Sequence, residues 1–507
     1  MNCPRCEHAL DEGASFCGQC GVGLAQAGAA ARQARSDEHA ETVRSADLQN
    51  TPAPEAAHAL PLDDQKSFRG LLVHSVLGEG AMGAAYLASH CILRMPLVIK
   101  TFKVSAHPDV FTEAHLAARV VSPHVVGVID AGVEAGVPFV IQRYIDGIDL
   151  AELVKYLQAG AWRLPMNTIC HILIDAAHGL HTIHQAGVIH RDVKPANLFL
   201  TGSGITTVGD FGIAVDAARV KEEQLLTGTP MFMAPEQWLR GEMGRHTDIY
   251  ALGATGHLLL TGAPPFEANS VEEMARAHID QPYQAPASTN PAEAYLCSVI
   301  ERTLRKKPDE RYQTAEALAR VLEVVAEPPP QLVRIGQDEA RVGPLHIELA
   351  VCDITTSVSD VIVNAANSAM EMDLGVAAAL GRAAGPSVEQ EAMQHAPVSM
   401  GEVVWTGAGQ LQARWVAHAV SAMSGAVCLQ RCTLRVLLGA EVRQARSVVF
   451  PALGTGVGAV PMDLAAKLIL EAMRTFASFQ PQFVRTVRVV LFDEAGRARW
   501  RTILKSM

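Results

Sequence analysis

The chain has 507 residues, which at ~150 residues per domain predicts about three domains. Hydrophobic residues make up 49% and charged residues 19%, a globular composition that excludes a wholly disordered chain, collagen and a coiled-coil rod. The net charge of −11 argues against a chain devoted to nucleic acid. Since the sequence shows neither an apolar run of ~20 residues nor a secretory signal, we expect a cytoplasmic protein without a membrane partner.

Residues 1–23 are rich in cysteine and glycine. Cys3 with Cys6, and Cys17 with Cys20, can each place two thiolates on a tight turn, and the two pairs supply the four soft ligands of a tetrahedral Zn²⁺ site. Bound metal would then provide the folding free energy of a segment too small for an apolar core. A redox or disulfide pair is disfavoured in a reducing cytosol. The segment resembles a zinc ribbon. Its four cysteines leave no open ligand position, which predicts a structural role, and its acidic balance favours contact with protein or regulation over nucleic acid.

Three further segments follow the cysteine-rich start. Residues 24–66 contain few large apolar side chains and predict a flexible linker, because they cannot bury enough surface to offset their ordering entropy. Residues 67–325 begin with strand-like runs and continue with helical periodicity over 167–187 and 292–322. Residues 326–332 contain three consecutive prolines and predict a stiff linker.

Region 67–325 carries motifs suited to phosphate transfer. A β-rich run is followed by Gly78, Gly80 and Gly83. A glycine-rich hairpin at this place can bring backbone N–H groups close to a triphosphate. This turn alone is a weak signal, but other motifs follow in order. They are Lys100 on the next strands, Glu113 on a predicted helix, the segment His190 to Asn197, the triplet Asp210-Phe211-Gly212, and Ala234-Pro235-Glu236.

With these motifs the region resembles the Hanks-type Ser/Thr protein kinases. The resemblance implies an α+β bilobal fold and transfer of the γ-phosphate of MgATP to hydroxyl groups of protein substrates. The roles it implies are phosphate binding and pairing with Glu113 for Lys100, orientation and deprotonation of the substrate hydroxyl for Asp192, steadying of the γ-phosphate for Lys194, and Mg²⁺ binding for Asn197 and Asp210. Asp248 and Arg311 match structural positions of the family, and Arg311 is expected to pair with Glu236.

The region departs from the kinase pattern at several positions. Ala85 replaces the usual valine over the adenine, and Gln142 and Arg143 stand where the family has an apolar gatekeeper and an acidic hinge residue. The usual activation-loop phosphosite is a leucine. Three alternatives stay open: Thr227 is the phosphosite, Glu222-Glu223 substitutes for a phosphate, or the loop needs no phosphate. Because every chemical residue is present, an active kinase is favoured over a pseudokinase.

Residues 333–507 form a third region with a different charge balance. The span 332–507 holds 16 basic and 15 acidic side chains, whereas residues 1–331 hold 26 and 38. Strand-like runs over 345–350, 361–363, 415–419, 448–451 and 487–492 alternate with Ala/Leu-rich helical stretches such as 464–476, which predicts an α/β domain. Glycine-rich loops that leave strand ends suit a diphosphate held by backbone N–H groups, and an aspartate at a strand end can accept from an adenine amine.

The motifs Asp-Ile-Thr, Asn-Ala-Ala-Asn and Gly-Thr-Gly, in this order, resemble those of a macro domain. The resemblance implies a three-layer α/β fold with a mixed sheet that binds ADP-ribose or an ADP-ribosylated partner. The residues implied in ADP-ribose binding are Asp353, Ile354, Asn364, Asn367, Gly375, Val376, Gly454, Thr455, Gly456, Val457 and Gly458. Hydrolytic members usually carry a glycine-rich run followed by an aspartate, whereas here the run has lost two glycines and Ala377 stands at the aspartate position. Since some active members also have alanine there, this position does not decide between binding and hydrolysis, and binding is favoured. Gly458 stands where many members carry an aromatic residue.

Three hypotheses follow for the whole chain. The favoured one is an active Ser/Thr protein kinase whose macro domain directs it to ADP-ribosylated partners or senses an NAD-derived metabolite. The second is a signalling scaffold made of a pseudokinase and an ADP-ribose reader. The third is a bifunctional enzyme that also hydrolyses ADP-ribosyl groups. The expected cofactors are ATP with Mg²⁺ and a structural Zn²⁺.

Overall fold

The computed structural model describes residue 60 and residues 66–80, 83–102, 118–210, 230–421 and 428–507. The four cysteines of the predicted zinc ribbon, most of the predicted linker, Glu113 and Thr227 lie outside these residues, so the predictions that concern them stay predictions. Residues 56–507 form one compact unit. Within the described part of the chain, every helix is too short or too polar to cross a bilayer.

The N-terminal lobe is a six-stranded antiparallel sheet of order β1-β2-β3-β4-β6-β5. Its strands are β1 Ser67–Phe68, β2 Leu71–Gly80, β3 Gly83–His90, β4 Pro96–Phe102, β5 Val128–Glu134 and β6 Val137–Arg143. Period-two alternation in β4 buries Leu97 and Ile99 in the lobe's core with Phe68 and Phe139. The same alternation turns Lys100 towards the opposite face of the sheet.

The C-terminal lobe is mainly helical. Its helices are α1 Leu150–Ala159, α2 Met166–Gln185, α3 Pro235–Trp238, α4 Arg245–Thr261, α5 Val271–Asp280, α6 Pro291–Thr303 and α7 Ala315–Glu323, and a small antiparallel sheet contains β7 Gly147–Asp149, β8 Leu198–Thr201 and β9 Thr206–Val208. Helix α2 confirms the periodicity predicted over 167–187. Helices α6 and α7 cover most of the helical periodicity predicted over 292–322, and a 3₁₀ turn at Pro308–Glu310 separates them.

The C-terminal region is built on an eight-stranded mixed sheet of order β10-β11-β12-β17-β16-β13-β15-β14. Its strands are β10 Leu332–Arg334, β11 Glu339–Val342, β12 Leu345–Val351, β13 Val361–Ala366, β14 Val403–Gly407, β15 Trp415–Val420, β16 Ser447–Pro451 and β17 Thr486–Leu491. Its helices are α8 Gly375–Ala384, α9 Pro386–Met393, α10 Leu429–Val442, α11 Met462–Ser478 and α12 Glu494–Ser506. The five central strands are parallel, so their carboxyl ends share one edge of the sheet.

Helices cover both faces of this sheet. Leu380 of α8 and Val388 of α9 pack with Ile362 on one face, and α10, α11 and α12 pack on the other. The structure therefore shows the expected three-layer α/β arrangement. The helices on this second face share a hydrophobic cluster with the C-terminal lobe, since the same cluster contains Leu173 of that lobe and Leu434 of α10.

The proline-rich segment 326–332 is fastened to the C-terminal lobe. Glu327 N donates to Asn167 Oδ1 at 2.7 Å, and Asn167 Nδ2 donates back to Glu327 O at 2.9 Å. His171 Nε2 lies 2.6 Å from the same carbonyl oxygen. The expected stiff linker is therefore held along helix α2 at its first residues, and β10 begins at its last residue.

Candidate functional site

The cleft between the lobes contains an ion pair between residues 110 positions apart. Lys100 Nζ on β4 is paired with Asp210 Oδ1, and burial lowers the pKa of Lys100 to about 8. Gly80 and Gly83 close the β2–β3 hairpin beside them. Gly83 has φ +157°, and a Cβ there would lie 1.8 Å from Thr101 O, so this position accepts only glycine. Among the described residues, a Cβ on Gly78 or Gly80 meets nothing within 4 Å.

Asp192 is at the centre of a second polar cluster. Its Oδ2 accepts from Asn197 Nδ2 at 3.0 Å and lies 2.7 Å from Lys194 Nζ. The 3₁₀ turn Pro195–Asn197 brings the amide back to the carboxylate. Within the described residues, Asp192 Oδ1 is a buried acceptor without a hydrogen-bond partner. One carboxylate oxygen is thus held in place while the other is available to accept a proton.

The buried Asp248 of α4 holds the chain segment that carries Asp192. Its Oδ1 accepts from Arg191 N at 2.8 Å and its Oδ2 accepts from His190 N at 2.9 Å, while His184 Nε2 lies 2.7 Å from Oδ2. Arg191 has φ +66°, a conformation that costs free energy for a residue with a side chain. The two hydrogen bonds from consecutive backbone N–H groups therefore stabilise the strained turn directly before Asp192.

Glu236 and Arg311 form the predicted pair. Arg311 is fully buried and donates to both carboxylate oxygens of Glu236, at 2.8 and 2.9 Å. Burial favours the protonated acid, but the bidentate hydrogen bonds from Arg311 outweigh it and lower the pKa of Glu236. At the back of the cleft, Gln142 on β6 is buried, and its Nε2 has no partner among the described residues.

A second candidate site lies at the carboxyl edge of the mixed sheet. Asp353 follows β12 and is exposed, and its Oδ1 accepts from Thr355 N at 2.9 Å and from Thr355 Oγ1 at 2.8 Å. These hydrogen bonds lower the pKa of Asp353 and fix its orientation. Ile354, which follows it, is buried below the surface.

Phe492 is a residue at this edge that the sequence motifs did not indicate. Strand β17 pairs with β12 so that Leu491 lies opposite Val351, which places Phe492 beside the segment that carries Asp353. Its side chain is 99% exposed, although an exposed phenylalanine at the end of a buried strand gains nothing from packing. The sequence feature that could have indicated Phe492 is an aromatic residue directly after a continuous apolar strand.

Two glycine-containing loops complete the edge, after the neighbouring strands β13 and β16. Gly375, with φ +57°, starts helix α8 and is followed by the partly buried Val376, so the first N–H groups of α8 are available to an anion. In the segment 454–458, Gly454 has φ +78°, and a Cβ on Gly458 would lie 2.7 Å from Gly454 O. This backbone therefore has no room for the aromatic residue that many macro domains carry there.

The two asparagines of the Asn-Ala-Ala-Asn motif lie in different environments. Asn364 is fully buried, and its Nδ2 lies 3.1 Å from His418 Nδ1. His418 Nε2 is 2.9 Å from Thr406 Oγ1, and burial lowers the pKa of His418 to about 4. Asn367 is near the surface, where its Oδ1 accepts from Glu371 N at 3.2 Å. The structure thus places Asn367 at the edge of the sheet and Asn364 in the core.

Comparison with known families agrees with both sites. The family described as "Protein kinase domain" matches residues 71–322, and the family described as "Macro domain" matches residues 363–469. The chain therefore contains a protein kinase domain followed by a macro domain. No group of three or more His, Cys, Asp or Glu residues suited to a metal ion is found in the described part, which does not include the four N-terminal cysteines.

The curated relatives are Ser/Thr protein kinases. The chain is 35% identical over 253 residues to serine/threonine-protein kinase PknH of Mycobacterium bovis, an alignment that covers 48% of this chain and 42% of the relative. It is 31% identical over 281 residues to PknB of Mycobacterium leprae (52% and 44%) and 33% identical over 344 residues to Pkn1 of Myxococcus xanthus (63% and 48%). The chain thus spans less than half the length of these relatives.

Proposed function

We propose that this protein is a Ser/Thr protein kinase whose macro domain binds ADP-ribose or an ADP-ribosylated partner. The observation that carries the kinase proposal is the arrangement around Asp192, in which one carboxylate oxygen contacts Asn197 and Lys194 and the other has no partner among the described residues. The oxygen atoms of Asn197 and Asp210 are the ligand type that Mg²⁺ prefers, so the residues present fit a magnesium site. Bound Mg²⁺ would neutralise charge on the phosphates.

The chain's own residues supply position and charge for the transfer. Asp192 orients the hydroxyl of a serine or threonine substrate and accepts its proton as the oxygen attacks the γ-phosphorus. The bond between that phosphorus and the β–γ bridging oxygen breaks, and ADP leaves. Lys100 and Lys194 offer positive charge to the phosphate oxygens, which favours the transition state because its charge is spread over those oxygens.

The substitution Asp192→Asn tests the kinase proposal, because it preserves the size of the side chain and removes the proton acceptor. We expect incorporation of label from γ-labelled ATP into a generic protein substrate to fall by ~10²–10⁴-fold, the usual contribution of a positioned base. The matched control is Asp309→Asn in the 3₁₀ turn between α6 and α7, which should leave the rate unchanged. Equal incorporation by wild type and Asp192→Asn would refute the assignment.

For the macro domain, the proposal is supported by the edge where Asp353, Phe492 and the two glycine loops meet. Asp353 is oriented to accept from the adenine amine, and the exposed ring of Phe492 can stack on the base. Backbone N–H groups at the start of α8 can hold the diphosphate without lysine or arginine, in agreement with the near-neutral charge of this domain. Ala377 is buried and carries no group that could act as a base.

Isothermal titration of the full chain with ADP-ribose tests the binding proposal. We expect saturable binding that weakens by about tenfold in Phe492→Ala, since stacking of one base contributes ~1–3 kcal/mol. Phe483→Ala lies away from this edge, before β17, and serves as the control. Absence of heat with wild type would refute ligand binding, and an unchanged affinity in Phe492→Ala would refute the role of the ring.

A further inference from the structure

The macro domain packs against the kinase segment that joins the two lobes, the hinge, which comprises residues 143–146. Asp146 Oδ2 accepts from Gln430 N at 3.0 Å and Oδ1 accepts from Arg431 N at 2.8 Å. These are first-turn N–H groups of macro helix α10, whose own N-cap residue, Cys428, provides no side-chain cap. A carboxylate from the kinase hinge therefore caps a helix of the macro domain and complements its dipole.

A buried ion pair reinforces this contact one turn further along α10. Arg435 Nε and Nη2 donate to the two carboxylate oxygens of Glu152 on α1, at 2.6 and 2.8 Å. Its Nη1 lies 2.5 Å from Glu402 Oε1 of the macro domain, and the Arg435 side chain is 7% exposed. On the other side, a Cβ on Gly202 would lie 2.4 Å from Gln430 Cβ, so the kinase chain approaches α10 as closely as glycine allows.

The macro domain also contacts the other kinase lobe. Ser399 Oγ donates to Val76 O at 3.2 Å, and Val76 lies on β2, the strand that leads into the glycine-rich hairpin. Contacts to α1, to the hinge and to β2 connect both lobes to one domain. A change in the angle between the lobes must therefore break or shift at least one of these contacts.

The first turn of α10 also touches the proposed ADP-ribose site. Leu429, the first residue of α10, is buried against the segment 454–458, and a Cβ on Gly454 would lie 2.9 Å from Leu429 Cδ2. A continuous series of contacts therefore runs from Gly454 through Leu429 to the N–H groups of Gln430 and Arg431, and from these to Asp146.

We propose that helix α10 of the macro domain positions the kinase hinge, and that ADP-ribose at the 454–458 loop tightens the binding of MgATP. The second half rests on the proposed ligand. A ligand that orders the loop against Leu429 restricts the first turn of α10 and hence Asp146, so MgATP then meets a hinge that is already ordered. Linkage requires MgATP to tighten ADP-ribose binding by the same factor.

The test measures the affinity of the full chain for a fluorescent ATP analogue with Mg²⁺, with and without saturating ADP-ribose. We expect binding at least about fivefold tighter with ADP-ribose, the lower end of typical coupling. In Asp353→Ala, which weakens the macro site, this effect must be lost. The same variant also shows how much of the signal comes from ATP analogue bound at the macro site. If ADP-ribose alone does not bind, the proposed ligand is wrong. If it binds and the ATP affinity does not change, the coupling is wrong.

Arg435→Met tests the positioning role, since Arg435 touches neither ligand site. We expect KM for ATP to rise and kcat to stay the same, with the effect of ADP-ribose lost. The matched control is Arg488→Met, which breaks a pair with Glu348 at 2.9 Å between β12 and β17. Should Arg435→Met fail to fold, Glu402→Gln removes only one partner of Arg435 and should reduce the effect. Full coupling in the folded variants would overturn the proposal.

Discussion

Replacing Trp162 by alanine is expected to loosen the macro domain from the kinase. Trp162 is 5% exposed; its ring meets Phe476 at a centroid distance of 6.1 Å, and its Nε1 donates to Phe479 O at 3.2 Å. Truncation of a buried tryptophan costs ~3–5 kcal/mol, and loss of the hydrogen bond is part of that figure. We therefore expect the free energy of separating the two domains to fall by about 4 kcal/mol. This corresponds to about a thousandfold rise in the population of molecules whose domains are separated.

Native-state hydrogen exchange of the full chain measures this change locally, which matters because a two-domain chain has no single unfolding free energy. Amides of α11 should exchange about a hundredfold to a thousandfold faster in Trp162→Ala. Trp238→Ala is the matched control, since this partly buried tryptophan packs with Phe266 inside the kinase and should leave α11 protected. Unchanged exchange in α11 of Trp162→Ala would show that the two domains are held together by other contacts.

Two further predictions concern buried charge and pH. Arg311→Met leaves the Glu236 carboxylate buried without its cation, so thermal unfolding should show a loss of ~3–5 kcal/mol, and the double variant Glu236→Gln/Arg311→Met should lose less than the sum of its parts. His418 has a pKa of about 4 when folded, below its ordinary 6.5, so the unfolded chain binds the proton more readily and stability falls as the pH drops from 6.5. At pH 5 this costs about 2 kcal/mol. Melts of His418→Gln should lack this part of the acid-induced loss, and an identical pH dependence would contradict the assignment.

The regular elements that follow from local pattern were predictable. Strand β17 and helix α11 were expected over nearly their observed residues, because continuous apolar runs and Ala/Leu periodicity are local properties of the sequence. Edge strand β14 was missed, since it is defined by its pairing with β15 rather than by its own pattern. The break between α6 and α7 depended on a proline that the helical periodicity obscured.

The candidate sites were predictable where chemistry follows from motif spacing. The structure brings Lys100 to Asp210 across the cleft and Asp192 to Asn197 and Lys194, residues that the kinase resemblance assigned to one site. The implied pairing of Lys100 with Glu113 lies outside the described residues. Such motifs could not indicate the contacts that only folding creates. Asp146 and Arg431 are 285 positions apart, and neither residue belongs to a motif of its own domain.

This contact joins an acidic part of the chain to a near-neutral part. The acidic N-terminal part supplies Asp146 and Glu152, and the near-neutral macro domain meets them with Arg431 and Arg435. Burial of paired charges adds little net stability, but loss of either partner is costly, so such pairs favour one docking geometry over others. Separated from the kinase, the macro domain would carry an uncapped α10 and two arginines without Glu152. The buried charges therefore favour an arrangement in which the kinase hinge and the segment 454–458 both contact the first turn of α10.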